Sequence, residues 1–331
     1  MIMKEIAFFD TKPYDREYFE KTPHDGLHFK FYVNKLNAET AFVTKGCDGA
    51  VAFVNDSIDE KAINELYKYG VRVLAMRCAG YNNVDIKAAQ GKIKILRVPK
   101  YSPYAVAEHT MALLLCLNRK IHRAFNRTRD YNFSINGLTG FDLHGKTAGI
   151  IGTGKIGQIF IDICRGFGMN IIAYDPYPLE NSGIEYVSKE ELFRRSDIIS
   201  LHCPLTKSTY HIVDEEALKE VKNDVYILNT SRGALIDAEA LLTALKESRV
   251  GGAGLDVYEE ESSLFFEDFS GSVIQDDVLS LLVNMPNVIV TSHQAFLTHE
   301  ALSGIAEVTI DNLNSFFSGK ELKNEVTANQ S

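Results

Sequence analysis

The chain has 331 residues, 45% of them hydrophobic and 24% charged, with 35 Lys and Arg against 44 Asp and Glu for a formal net charge of −9. That length suits two domains of ~150 residues with a sizeable core, and the acidic balance argues against a nucleic-acid surface, which needs a basic stripe. The five cysteines (Cys47, Cys78, Cys116, Cys164 and Cys203) are scattered without a Cys-x-x-Cys spacing, so no zinc or redox motif is expected, and the lack of a signal-peptide core or membrane-length apolar run points to a reducing cytoplasm.

Short apolar runs at 6–9, 29–33, 50–54, 71–76 and 93–98 read as strands, with helical stretches at 59–69 and 83–90 between the later ones. Such alternation predicts a parallel sheet covered on both faces. Ser102-Pro103 then opens a long helical pattern: Ser102 suits the cap, Pro103 the first turn, and Val106, Met111, Leu114, Leu115 and Leu117 supply the apolar face. From Arg119 to Arg129 the segment turns basic, as in a helix that leaves the core for a solvated or interface surface. Residues 132–144 read as loop. Strands are expected again at 148–151, 171–174, 198–201, 226–228, 254–257 and 288–291, about six in all, the number in a full doubly wound nucleotide domain. Helical stretches lie at 158–167, 214–221, 238–246 and 298–317. Residues 259–277, acidic and aromatic, interrupt the alternation.

A dinucleotide-binding fingerprint, Gly152-Thr153-Gly154-Lys155-Ile156-Gly157, follows the run Thr147-Ala148-Gly149-Ile150-Ile151 and precedes an amphipathic stretch. Asp175 ends the next apolar run, about 20 residues on, completing the pattern that glycines alone do not make. Gly152 permits the tight turn, Gly154 the approach of a pyrophosphate, and Gly157 close packing of helix on strand, while the helix N-terminus offers unpaired N–H groups to the phosphates. A carboxylate at Asp175 would bind the ribose hydroxyls and repel a 2′-phosphate, which favours NAD over NADP. The competing reading is a glycine turn in a fold that binds another nucleotide or none.

Three later segments each end a predicted strand, where ligands of open parallel sheets bind. They are Asn229-Thr230-Ser231-Arg232-Gly233, Asp256-Val257-Tyr258-Glu259-Glu260-Glu261 and His293-Gln294-Ala295-Phe296. Singly, Arg232 reads equally as a surface ion-pair partner, Glu261 as part of a solvated acidic run and His293 as a satisfied loop histidine. Together they place an arginine, an acid and a histidine at strand ends of one nucleotide domain. Strand direction alone does not choose among Glu259, Glu260 and Glu261.

In this order the segments resemble the D-isomer-specific 2-hydroxyacid dehydrogenases, and within them the fermentative D-lactate group. Arg77-Cys78-Ala79-Gly80-Tyr81-Asn82-Asn83-Val84-Asp85, Val98-Pro99 with Tyr101-Ser102-Pro103, Ala107-Glu108-His109 and Phe265-Phe266-Glu267-Asp268 extend the similarity over nearly the whole chain. The resemblance implies an α/β protein of two doubly wound parallel-sheet domains. A Rossmann NAD domain, 102–297, is inserted into a flavodoxin-like substrate-binding domain, 1–101 and 298–331, with hinges near Tyr101 and Leu297 that close the site.

It further implies NADH-dependent reduction of pyruvate to D-lactate. Arg232 would hold the substrate carboxylate, and His293 would be the general acid, or the base in reverse. The family's spacing gives Glu261 the bond that favours the protonated imidazole. Asp256 matches the partner of the nicotinamide carboxamide. Cys203, Pro204, Thr209, Thr230 and Ser231 match cofactor contacts, along with the fingerprint residues. Ala79 and Gly80 match backbone binders of the substrate anion, and Tyr101 and Phe296 match residues around its side group, with core packing as their alternative. No metal, nucleic acid or membrane is implied, and a homodimer through 102–130, or a tetramer, is expected. Relatives acting on phosphoglycerate, hydroxypyruvate, glyoxylate or a branched 2-keto acid are alternatives, as is an NAD-sensing, corepressor-like binding protein.

Overall fold

A computed structural model describes residues 3–261 and 264–327. The chain divides into two compact units, residues 1–102 with 297–331, and residues 103–296. The first division falls one residue later than expected, between Ser102 and Pro103, because Pro103 already begins a helix of the second unit. Among the described residues no helix is long and apolar enough to cross a membrane.

The first unit runs β1 (Lys4–Phe8), α1 (Pro13–Lys21), β2 (Leu27–Phe31), β3 (Gly49–Ala52), α2 (Glu60–Lys68), β4 (Val73–Met76), α3 (Ile86–Ala89) and β5 (Lys94–Arg97), and the helix His299–Phe317 returns to it. Its strands pair in parallel in the order β2-β1-β3-β4-β5, the flavodoxin-like arrangement. Phe8 on β1 meets Phe19 of α1 edge-on at 4.8 Å, and Ala306, Ile310 and Leu313 of the returning helix pack into the same core. Asp59 and Thr298 cap their helices by accepting from the Ala62 and Ala301 N–H groups. The sequence pattern did not announce α1, whose only buried side chains are Asp15 and Phe19, too few for a readable stripe.

Arg77, at the carboxyl end of β4, is buried with its side chain 1% exposed. Nη1 lies 3.1 Å from Asp15 Oδ1, Nη2 donates to the Asp10 carbonyl at 2.8 Å, and the guanidinium stands 3.9 Å from the Phe53 ring centroid. A buried charge of this kind is tolerated because partners surround it.

The second unit runs α4 (Pro103–Arg119), α5 (Ile121–Arg129), β6 (Thr147–Ile151), α6 (Lys155–Gly166), β7 (Asn170–Tyr174), β8 (Glu185–Tyr186), α7 (Lys189–Arg195), β9 (Ile198–Leu201), α8 (Glu215–Glu220), β10 (Val225–Asn229), α9 (Ala238–Lys246), β11 (Val250–Leu255), α10 (Asp277–Asn284) and β12 (Val288–Val290). The parallel order β12-β11-β10-β9-β6-β7-β8 is the Rossmann order 3-2-1-4-5-6 with β12 added at one edge. One face of the sheet is covered by a core with Met111 and Leu114 of α4 and Phe160 of α6; a core with Leu218, Leu241 and Leu282 of α8, α9 and α10 covers the other.

Among the described residues seven strands stand where about six were expected, since β8 is only two residues long and carries no periodicity. β11 begins at Val250, earlier than the expected 254, because Gly251 and Gly252 disguise its start, and Asp256 and Val257 lie beyond its end. The long helical pattern breaks at Lys120, which adopts a left-handed φ of 51°, so α5 starts afresh with none of its residues buried.

Candidate active site

The turn after β6 takes the shape the fingerprint requires. Gly152 has φ +96°, and a Cβ there would sit 2.7 Å from the Cys203 nitrogen. A Cβ on Gly157 would lie 2.1 Å from the Gly152 carbonyl, so only glycine lets α6 pack this closely. Gly154 caps α6 without a side chain, and a Cβ built on it would meet nothing within 4 Å. The first-turn N–H groups of α6, from Lys155 and Ile156 to Gly157, therefore have no side-chain cap and open space beside them, which fits a pyrophosphate. Asp175, just past β7, accepts from Thr153 N at 2.7 Å and Tyr177 N at 2.9 Å, which fixes its carboxylate beside the glycine turn.

The loops after β9 and β10 are tied together by Ser231 Oγ, which donates to the Cys203 carbonyl at 2.7 Å. Burial pushes the Cys203 thiol up to about 11, so it stays an unreactive thiol. Thr209 Oγ1 donates to the Pro204 carbonyl at 2.7 Å, and Thr230 Oγ1 bonds Thr110 Oγ1 at 2.7 Å. Arg232 is half-buried. Its Nη1 donates to the Ser231 carbonyl at 2.6 Å, and among the described residues no carboxylate pairs with its guanidinium. Gly233 follows because a Cβ there would fall 2.0 Å from the Tyr258 carbonyl. The loops after β10 and β11 are thus in backbone contact, one holding the arginine and the other the acids.

Of the three adjacent glutamates, Glu261 reaches His293: its Oε1 is 2.7 Å from Nδ1, and its Oε2 accepts from Tyr258 N at 2.9 Å. Glu259 bonds His211 instead. His293 itself has a left-handed φ of 54°, a conformation a non-glycine residue adopts only when held. Asp256 does the holding. Its carbonyl accepts from His293 N at 2.7 Å, its Oδ1 accepts from Thr291 Oγ1 at 2.6 Å and Gln294 N at 2.9 Å, and its Oδ2 accepts from Ala295 N at 2.8 Å. Burial pushes the Asp256 carboxyl up, but bonds from His109, Thr291, Ala295 and Gln294 outweigh it and hold it below its ordinary value. Asp256 is therefore ionised and braces the histidine turn, while Oδ2, with one donor, keeps capacity to accept another. Phe266 lies tilted against the imidazole, ring centroids 5.9 Å apart. With Nδ1 bonded to Glu261, Nε2 is the ring nitrogen without a partner among the described residues.

In the first unit, the Ala79 and Gly80 carbonyls accept from Arg97 Nη1 and Cys78 Sγ, whereas neither N–H has a protein acceptor among the described residues. Tyr101 lies at the end of that unit and Phe296, buried, at the end of the second.

The family model for the D-isomer specific 2-hydroxyacid dehydrogenase NAD binding domain matches residues 111–295. The D-lactate dehydrogenase of Escherichia coli strain K12 is 49% identical over 327 residues, 97% of this chain and 99% of its own. The chain belongs to the D-isomer-specific 2-hydroxyacid dehydrogenases. Solved relatives agree: the apo structure of the Escherichia coli D-lactate dehydrogenase superposes with a TM-score of 0.90 at 46% identity, covering 98% of this chain and 100% of that one. The pyruvate reductase of Chlamydomonas reinhardtii superposes at 0.91 with 40% identity, covering 97% and 98%. This member of the dehydrogenases is thus NAD-dependent, and the turn at Gly152–Gly157 has the open, uncapped geometry such a cofactor needs.

Sequence reading passed over several residues of this dehydrogenase's site. Thr291 and His109 share the Asp256 carboxylate, with His109 Nε2 3.4 Å from Oδ1. His109 stood in a family-like motif without a task. His211 lay between two predicted elements, and only the run of three acids hinted that one of them needed another partner.

Proposed function

We propose that this dehydrogenase reduces pyruvate to D-lactate with NADH, and runs the reverse reaction with NAD, as a cytoplasmic homodimer. The observation that carries the reading is the His293 imidazole, bonded to Glu261 through Nδ1, in the same unit as the Arg232 guanidinium; among the described residues Nε2 has no partner and no carboxylate neutralises the guanidinium. Arg232 grips the substrate carboxylate in a two-pronged ion pair, which also orients the neighbouring carbonyl. His293 donates its Nε2 proton to the carbonyl oxygen, and Glu261 keeps the ring oriented and offsets its positive charge before transfer. Bound NADH supplies the hydride to the carbonyl carbon. Hydride and proton together turn the ketone into the alcohol, and in reverse neutral His293 takes the hydroxyl proton.

The glycine turn and α6 N-terminus hold the pyrophosphate, Asp175 the ribose hydroxyls, and Asp256 Oδ2 the nicotinamide carboxamide. The loop residues Cys203, Pro204, Thr209, Thr230 and Ser231 line the cofactor. Ala79 and Gly80 offer N–H groups to the substrate, and Tyr101 and Phe296 surround its side group. Pyruvate is favoured as the acid by the relatives' names. The dimer is supported by α5, which buries nothing and leaves Ile121 and Phe125 exposed, as are Tyr131, Phe133 and Ile135 beyond it. The five unbridged cysteines suit the cytoplasm.

The test is NADH oxidation followed by absorbance against pyruvate, hydroxypyruvate, glyoxylate and 2-ketoisocaproate, with chiral analysis of the product. Pyruvate is expected to give the highest kcat/KM and D-lactate as the product. L-lactate, or faster turnover of another acid, would refute the assignment.

A further inference from the structure

A second histidine–glutamate pair stands two residues from the first. His211 Nε2 is 2.5 Å from Glu259 Oε1, and Tyr210 OH also reaches that oxygen, at 3.4 Å. His211 Nδ1 lies 3.8 Å from Asp237 Oδ2, and its backbone N–H donates to the Ala234 carbonyl at 2.9 Å. The residue has a left-handed φ of 49°, and the Tyr210 ring stacks on the imidazole at 4.0 Å. The backbone and side chain of one residue therefore join three loops. Its own follows β9 and carries Pro204 and Thr209. Ala234 and Asp237 follow β10 and Arg232. Glu259 belongs to the turn that presents Glu261.

We propose that His211 is a positioning residue for the reaction: through Glu259 it fixes the Tyr258–Glu261 turn, and so sets the Glu261 contact with His293. The turn's other bonds are local. Tyr258 N donates to Glu261 Oε2, the Tyr258 carbonyl accepts from Glu261 N at 3.4 Å, and the Glu261 carbonyl accepts from Leu264 N and Phe265 N at 3.0 and 2.9 Å. None of these holds Glu259, and none links the turn to the loop after β9. An imidazolium between Glu259 and Asp237 has a donor for each, whereas the neutral ring has a donor for one only. The charged groups facing His211 are these two carboxylates, and Tyr210 is the neighbouring titratable group. His211 itself bonds none of Arg232, Glu261 or His293, so its effect is exerted through the loops.

The inference rests on the acid–base role proposed for His293, and its test separates the two. His211→Ala, His211→Gln, Glu259→Gln and the double variant His211→Ala with Glu259→Gln are compared with wild type on the keto acid wild type prefers. His211→Ala is expected to lower kcat by about tenfold to a hundredfold, as small misplacements of catalytic groups do, with NADH affinity by fluorescence unchanged within about twofold. The pH–rate profile for reduction is expected to change with it, because the Glu261 contact with the His293 ring is no longer fixed. Glu259→Gln changes the profile the same way, and the double variant adds little to either, as for members of one contact. His211→Gln keeps a donor for Glu259 and restores most of kcat and the profile.

NMR of the His293 ring in histidine-labelled enzyme, without substrate, is expected to show displaced ring resonances in His211→Ala. An unmoved profile and unmoved His293 resonances would overturn the proposal, whether or not thermal stability fell. So would additive losses in the double variant. Should wild type turn over none of the acids, the functional reading fails, and the NMR comparison still decides the clamp.

Discussion

The two units each place an arginine at the carboxyl end of a parallel strand, and they treat it in opposite ways. Arg77, after β4, is sealed in: Asp15 pairs with it, Asp10 accepts from it, and Phe53 lies against its plane. Arg232, after β10, is held only through the Ser231 carbonyl and keeps its charge without a carboxylate partner among the described residues. The same residue type at the same kind of position thus serves folding in one unit and is left available in the other. Position in the fold does not make a site; unmatched charge with a fixed orientation does.

The contrast can be broken from either side. The largest effect is expected at His293, where substitution by alanine should lower kcat by roughly 10²- to 10⁴-fold while the melting temperature and NADH binding hold, because it removes the proton donor and little packing. Turnover close to wild type would remove His293 from the reaction. Arg77→Met should do the reverse. Leaving the Asp15 carboxylate buried without its cation, and Asp10 with Lys12 alone, should destabilise the fold by about 3–5 kcal/mol, read from denaturant unfolding. An unchanged unfolding midpoint would show that Arg77 is no more structural than Arg232.

Asp175→Ala should have a smaller and more selective result. It should narrow the preference for NADH over NADPH, measured as the ratio of kcat/KM values, since the carboxylate that disfavours a 2′-phosphate is gone. An unaltered ratio would take the ribose away from Asp175.

The smallest effect concerns His202, beneath the glycine turn, whose imidazole burial holds down to about 3. It is neutral in the fold and charges readily once unfolded. The unfolded chain therefore binds the extra proton as pH falls below its ordinary range, and stability is lost from about pH 6.5 towards 3. His202→Gln should flatten that part of the stability–pH curve, and an identical slope in the variant would contradict the assignment.

The glycine turn and Asp175 were legible in the sequence because each carries a backbone or charge requirement that few other arrangements satisfy. The doubly wound order followed from strand–helix alternation and the resemblance. Short or weakly apolar elements were not legible. α1 buries one aromatic ring, β8 is two residues long, and β11 opens on glycines, so none has a period to detect. Nor could local spacing say which of Glu259, Glu260 and Glu261 faces His293. The answer lies in the left-handed turn at His293, built by Asp256, and in the capture of Glu259 by His211 from another loop. Both are contacts between strand ends distant in sequence.

The most direct test of unmatched charge as the working part of this enzyme is Arg232→Ala, assayed for pyruvate reduction and for unfolding in the same preparation. The expected result is a loss of kcat/KM of roughly a hundredfold or more, from the missing charge-assisted grip on the carboxylate, with unfolding unchanged or slightly harder. A variant that kept its turnover, or that lost it only because it unfolded as Arg77→Met does, would contradict the account.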